Sequence, residues 1–98
     1  MIKSGLAPIH PGKFLREIIE ELEISQNYFA RVIGVSPMRV SHVVNGRRPV
    51  TAELALLFGQ ALGQSPEYWL NLQAVYDLKT AEVTLAEQLK TIPELARI

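Results

Sequence analysis

Residues 25–48 read SQNYFARVIGVSPMRVSHVVNGRR, two short helical patterns separated by a glycine corner. Ser25 suits a helix N-cap, because its hydroxyl accepts a hydrogen bond from an unpaired N–H of the first turn. Gly34 suits the left-handed conformation that closes the helix. Ser36 caps the second helix, and Pro37 takes its first position, where a missing N–H costs nothing. Asn45-Gly46 signals the second helix end. Only Gly34 and Val35 remain for the connection, so the helices must meet at a sharp corner, the geometry of a helix-turn-helix over 25–46. Phe29, Val32 and Ile33 share one face of the first helix. Val40, Val43 and Val44 share one face of the second, and Ala30 is small where the two must approach.

What remains on the outside of the second helix is Pro37, Met38, Arg39, Ser41, His42 and Asn45. From Ser25 to Val50 there are four cations (Arg31, Arg39, Arg47, Arg48) and no Asp or Glu, although the whole chain carries ten of each sign. Basic charge concentrated on one motif is an electrostatic footprint for phosphate. A helix lying in a major groove reads bases with its N-terminal residues. Arg39 is therefore assigned to a guanine, His42 to a base or a phosphate, and Met38 to a thymine methyl. Gln26 sits at a helix N-terminus, where free N–H groups suit an anion. Arg47 and Arg48, in the following loop, suit backbone phosphates. The candidate DNA-contacting set is Gln26, Ser36, Pro37, Met38, Arg39, Ser41, His42, Asn45, Arg47 and Arg48. The competing reading is an ordinary two-helix corner with a solvated face, and the local excess of arginine argues against it.

At 98 residues the chain is one domain. A hydrophobic content of 48% with 20% charged residues is that of a globular protein. The net charge of zero excludes a general polyanion binder, so DNA affinity must come from the local patch. The lack of cysteine excludes disulfides, thiolate metal sites and cysteine nucleophiles. No leader-like run opens the sequence, and no stretch approaches the ~20 apolar residues of a membrane span. A cytoplasmic protein is expected.

Residues 1–9 are expected to form an N-terminal arm, residues 10–79 the helix-turn-helix domain, and residues 80–98 a C-terminal extension. The first helix opens at His10-Pro11, with His10 as cap. Leu15, Ile18, Ile19 and Leu22 form its buried stripe. Glu17, Glu20, Glu21 and Glu23 make its other face acidic. Acid near a helix C-terminus opposes the macrodipole, and a docking surface for a basic protein is the functional alternative to a solvated face. Thr51 caps a fourth helix running to Gly63, with Leu54, Leu57, Phe58 and Ala61 inward and Leu56 and Leu62 widening the stripe. Ser65-Pro66-Glu67 opens a fifth helix through Leu78. Tyr68, Trp69 and Tyr76 lie on it, and apolar residues occupy more than one of its faces. Either the helix is central or it packs on a second copy. A homodimer through Tyr68, Trp69, Leu72 and Tyr76 is expected, since aromatic residues with polar tips are enriched at interfaces and a dimer matches a palindromic operator. Leu85, Leu89 and Ile92 suggest a further helix ended by Pro93, or an extension of the fifth.

Catalysis is not expected. His10 and His42 lie in different elements, no pair of histidines has metal-ligand spacing, and Ser41 and His42 point about 100° apart on a helix. No cofactor and no metal is expected.

Ser25-Gln26, Ala30, Gly34-Val35-Ser36, Val40-Ser41 and Asn45-Gly46 resemble the helix-turn-helix of the Cro/CI (XRE) repressor class. His10-Pro11-Gly12 and Ser65-Pro66-Glu67-Tyr68-Trp69-Leu70-Asn71-Leu72-Gln73 add a more specific resemblance, to the HigA-type (VapI-like, addiction-module antidote) antitoxins, over about His10 to Leu78. The resemblance implies an all-α, five-helix, lambda-repressor-like domain with a C-terminal helical extension. It also implies a homodimer that represses its own operon and neutralises a small basic HigB-type toxin, an mRNA endonuclease of RelE-like fold. Lys13 departs from the pattern, which often has an acid there, and Pro37-Met38 replaces a more polar pair. The alternatives are a stand-alone dimeric repressor without a toxin and a protein-binding inhibitor that no longer reads DNA.

Overall fold

The computed structural model describes residues 7–96 and is all-helical there. Its elements are α1 (Pro11–Glu21), α2 (Gln26–Ile33), α3 (Pro37–Val44), α4 (Ala52–Leu62), α5 (Pro66–Thr84) and α6 (Ala86–Leu89). Most of the expected N-terminal arm lies outside the described residues. Ala7 to His10 carry no regular secondary structure.

Each of the first five helices begins at the expected side-chain cap. The hydroxyls of Ser25, Ser36, Thr51 and Ser65 accept hydrogen bonds from the N–H groups of Tyr28, Arg39, Leu54 and Tyr68, at 2.9 to 3.2 Å. His10 caps α1 through Nδ1, which accepts from the Gly12 N–H at 2.9 Å. Each such cap contributes about 1 kcal/mol. Gly34 and Gly63 close α2 and α4 in the left-handed region, with φ of 73° and 71°. Glu23, with φ of 58°, does the same after α1 without glycine's freedom.

The core lies where α1, α2, α3 and α4 converge and α5 covers them. Leu15, Ile19, Phe29, Ala30, Val40, Val43, Val44, Leu54, Ala55, Phe58 and Trp69 are buried together. The expected stripes hold at their centres and fail at their edges. Leu22, the α1 C-cap, is 52% exposed, Val32 is 55% exposed and Leu56 61%. Ala61 is exposed as well. The helices are short and meet the core at a corner, so only a narrow stripe of each reaches it.

In the C-terminal region the fifth helix runs on past Leu78, the expected alternative in which the tail extends it. α5 continues unbroken through Lys79 and Thr80 to Thr84, and only one short turn, α6, follows. No Gly or Pro stands between Pro66 and Pro93, so nothing local stops the helix where the aromatic residues end. Among the described residues no helix is long and apolar enough to cross a membrane.

Candidate nucleic-acid interface

Helix α3 presents two sides. Val40, Val43 and Val44 are buried, while Ser36, Pro37, Met38 and Asn45 are exposed and Arg39, Ser41 and His42 are half-exposed. Met38 is 68% exposed. Arg47 and Arg48 follow at the exposed end. Gln26 opens α2 and lines a shallow groove with Arg16, Ile19, Glu20 and Ile24.

The position of α3 is set from behind by α1. A Cβ on Gly12 would overlap the Val43 carbonyl oxygen and crowd the Val44 Cα. The first turn of α1 thus rests directly on the backbone of the last turn of α3. His10 extends the contact. Its ring lies against Gly46, whose own φ is +75°, and meets Tyr76 of α5 edge-on at 4.9 Å. Burial pushes the His10 pKa below the ordinary histidine value, opposed by a hydrogen bond with the Arg48 backbone and by the Asp77 charge. Between the lowered native value and the ordinary value of about 6.5, the unfolded chain binds more protons than the native one. His10 therefore favours folding fully above that pH and progressively less as the pH falls through the native value. Denaturant midpoints measured from pH 7.5 downward are expected to fall more steeply for the parent chain than for His10→Asn.

The loop that carries Arg47 and Arg48 is tied at both ends. The N–H groups of Arg47 and Arg48 donate to the His42 carbonyl at 2.8 and 3.3 Å. The Val50 N–H donates to Oε1 of Gln73 at 2.7 Å, and the Gln73 amide donates to Asp77 at 3.0 Å. Gln73 is the one buried polar side chain among the described residues. Gln73→Leu leaves the Val50 N–H unpaired and is expected to cost about 1–3 kcal/mol of stability, read as a lowered urea midpoint.

Arg16 was not among the expected contacts. Its Nη2 donates to Oδ1 of Asn45 at 2.8 Å, and Nδ2 of Asn45 donates to Ser41 Oγ at 3.2 Å. A cation of α1 is thereby placed between the α2 N-terminus and the end of α3. Lys13 lines the neighbouring groove with His10, Glu17, Asn45 and Gly46. Nothing in the local sequence distinguishes Arg16 from a solvated residue of α1. Only the crossing of α1 over α3 brings it here. Arg39 has its own partner, Glu53 of α4, at 3.1 Å. Among the described residues Arg16, Arg31, Arg47 and Arg48 have no carboxylate within ion-pair distance.

The expected self-association residues divide differently. Trp69 is wholly buried, 5.2 Å from the Phe58 ring, with its indole N–H donating to Gln64 at 2.8 Å. It belongs to this chain's own core, and its placement at an interface is corrected. Leu72 packs against the same core, and Tyr76 is half-buried against His10. Of the four, only Tyr68 is exposed.

Known proteins share this fold. Residues 15–69 match the helix-turn-helix family HTH_3. Virulence-associated protein I of Dichelobacter nodosus is 38% identical over 81 residues, covering 82% of this chain and 75% of that one. An addiction module antidote protein of a HigA family from Coxiella burnetii superposes with a TM-score of 0.88 at 36% identity, over 92% of this chain and 100% of that one. The chain belongs to the HigA-type antitoxins of the Cro/CI helix-turn-helix class. The Pseudomonas aeruginosa antitoxin HigA, solved with the higBA promoter, superposes with a TM-score of 0.86 at 36% identity, over 91% of this chain and 99% of that one. The HigA-type family is one of DNA-binding regulators and not of enzymes. In this HigA-type chain the two most specific motifs do structural work behind the exposed helix. His10 and Gly12 seat α1 on α3, while Trp69 and Gln73 seat α5 on the core and on the arginine loop.

Proposed function

We propose that this chain binds the palindromic operator of its own operon as a homodimer and represses it, and that it neutralises a small basic HigB-type toxin. The observation that carries the DNA reading is the outer face of α3. Its side chains are turned away from the core, and Arg16, Arg47 and Arg48 border it without carboxylate partners among the described residues. The Pseudomonas relative, similar over nearly its whole length, is solved with a promoter. Arg39, Met38 and His42 read bases, while Gln26, Ser36, Asn45, Arg47 and Arg48 hold phosphates, joined by Arg16. Pro37 and Ser41 shape the contact surface.

Self-association uses α5, but not Trp69. Val75 and Leu78 of α5 and Leu85, its C-cap, are exposed at three- and seven-residue spacing, and Tyr68, Leu72 and Tyr76 of the same helix complete the surface. The acids Glu17, Glu20, Glu21 and Glu23 are all exposed, which supports docking of a basic partner.

Arg39→Ala is expected to cost about 1–3 kcal/mol of operator binding and to relax preference at one base pair. Arg47→Ala should weaken all duplexes alike and reduce the salt slope by about 0.9. If both leave operator binding unchanged, α3 is not the DNA face. The toxin role is tested by expressing the tagged chain with its neighbouring reading frames. Co-purification of a small basic protein at equal stoichiometry supports it. Recovery of the chain alone leaves a stand-alone repressor.

A further inference from the structure

Arg39 is held before any DNA arrives. Its Nη2 donates to Oε1 of Glu53, in the first turn of α4, at 3.1 Å. The other ion pair among the described residues joins Lys90 to Glu87, three residues apart in the tail. The Arg39–Glu53 pair instead crosses between two elements, α3 and α4. Glu53 is also the sole acid between Ile24 and Pro66. A carboxylate on the rim of a face built for phosphate works against binding, so its place beside Arg39 calls for a physical reason. Stability does not supply one. The two side chains are 38% and 70% exposed, and such pairs contribute little to folding.

We propose that Glu53 is a specificity-determining residue, which holds the Arg39 guanidinium in the orientation that reads guanine. The inference rests on the assignment of Arg39 to base reading. A guanidinium has five N–H donors in a rigid fork, and Glu53 engages one nitrogen. The donors left over still include a pair suited to guanine O6 and N7. Restraining a long side chain in advance reduces the rotamer freedom lost on contact. Glu53 also acts against wrong sequences. Where Arg39 finds no guanine and swings to a phosphate, the carboxylate is left unpaired beside the DNA, and its repulsion falls on that sequence alone.

The test uses the full chain as parent, Arg39→Ala and Glu53→Gln. Each selects duplexes from a randomised pool, and the selected sequences are titrated at several salt concentrations. The parent should prefer G·C at one position of each half-site, and Arg39→Ala should lose that preference. Glu53→Gln should weaken it at the same position by about three- to fivefold. Its other preferences, salt slope and thermal unfolding should stay unchanged. A Glu53→Gln chain that keeps the full preference overturns the role of Glu53 and leaves that of Arg39 standing. An equal gain in affinity for every duplex overturns it too, by reducing Glu53 to a repulsive charge. If Arg39→Ala keeps all parent preferences, both assignments fall together.

Discussion

Gly12→Ala is expected to lower folding stability by about 3 kcal/mol, the upper end of the overpacking range. The reason is what the new methyl would meet. On Gly12 it would overlap the carbonyl of Val43 and crowd the Cα of Val44, and backbone cannot rotate away as a flexible side chain does. Either α1 lifts off α3 or the last turn of α3 is deformed. Both outcomes disturb Asn45 and the arginine loop, so operator affinity should fall together with stability. For a domain of this size the melting temperature should drop on the order of 12–24 °C. Gly34→Ala is the control. It has open space around it but a φ of +73°, so only backbone strain of about 1–2 kcal/mol applies. Urea unfolding of both variants, with operator titration at a temperature where each is folded, separates the two costs. Equal destabilisation would mean that the α1–α3 approach is looser than the geometry indicates.

Trp69→Ala is expected to cost about 3–5 kcal/mol, a large part of the about 5–15 kcal/mol that holds a small domain together. The indole is fully buried between the Phe58 and Tyr68 rings and donates to Gln64. Its removal opens a cavity and leaves Gln64 without its donor. Trp69→Phe, which retains a ring, should cost only about 1–2 kcal/mol. Calorimetry combined with sedimentation distinguishes core from interface. A core role lowers the melting temperature before any change in association. A well-folded Trp69→Ala chain that is monomeric would return Trp69 to the dimer contact.

The helices themselves were legible because their signals are local. Ser25, Ser36, Thr51 and Ser65 each stand one residue before a helix and bond its first turn. Gly34 and Gly63 close helices in a conformation that disfavours other residues. The outward side of α3 was legible too, since Val40, Val43 and Val44 leave the opposite face for everything else. What escaped was tertiary. Gln73 gives no sign in the sequence that its amide meets the Val50 N–H, 23 residues away. Arg16 and Glu53 look like solvated charges until α1 and α4 are placed beside α3. Trp69 reads as an interface residue because α5 carries apolar residues on more than one face and aromatic rings with polar tips favour interfaces. Its indole fills the core instead, and the most exposed large apolar residues of α5 lie further along, at Val75, Leu78 and Val83.

The decisive measurement is a fluorescence-anisotropy titration of the full chain against the duplex immediately upstream of its own coding sequence. It is repeated with a shuffled duplex of equal composition, at salt from about 50 to 200 mM. The expected result is binding to the upstream duplex tighter by about 10³ or more than to the shuffled one, weakening steeply with salt. Equal affinity for the two duplexes, or binding indifferent to salt, would contradict a base-reading α3 framed by phosphate-holding arginines.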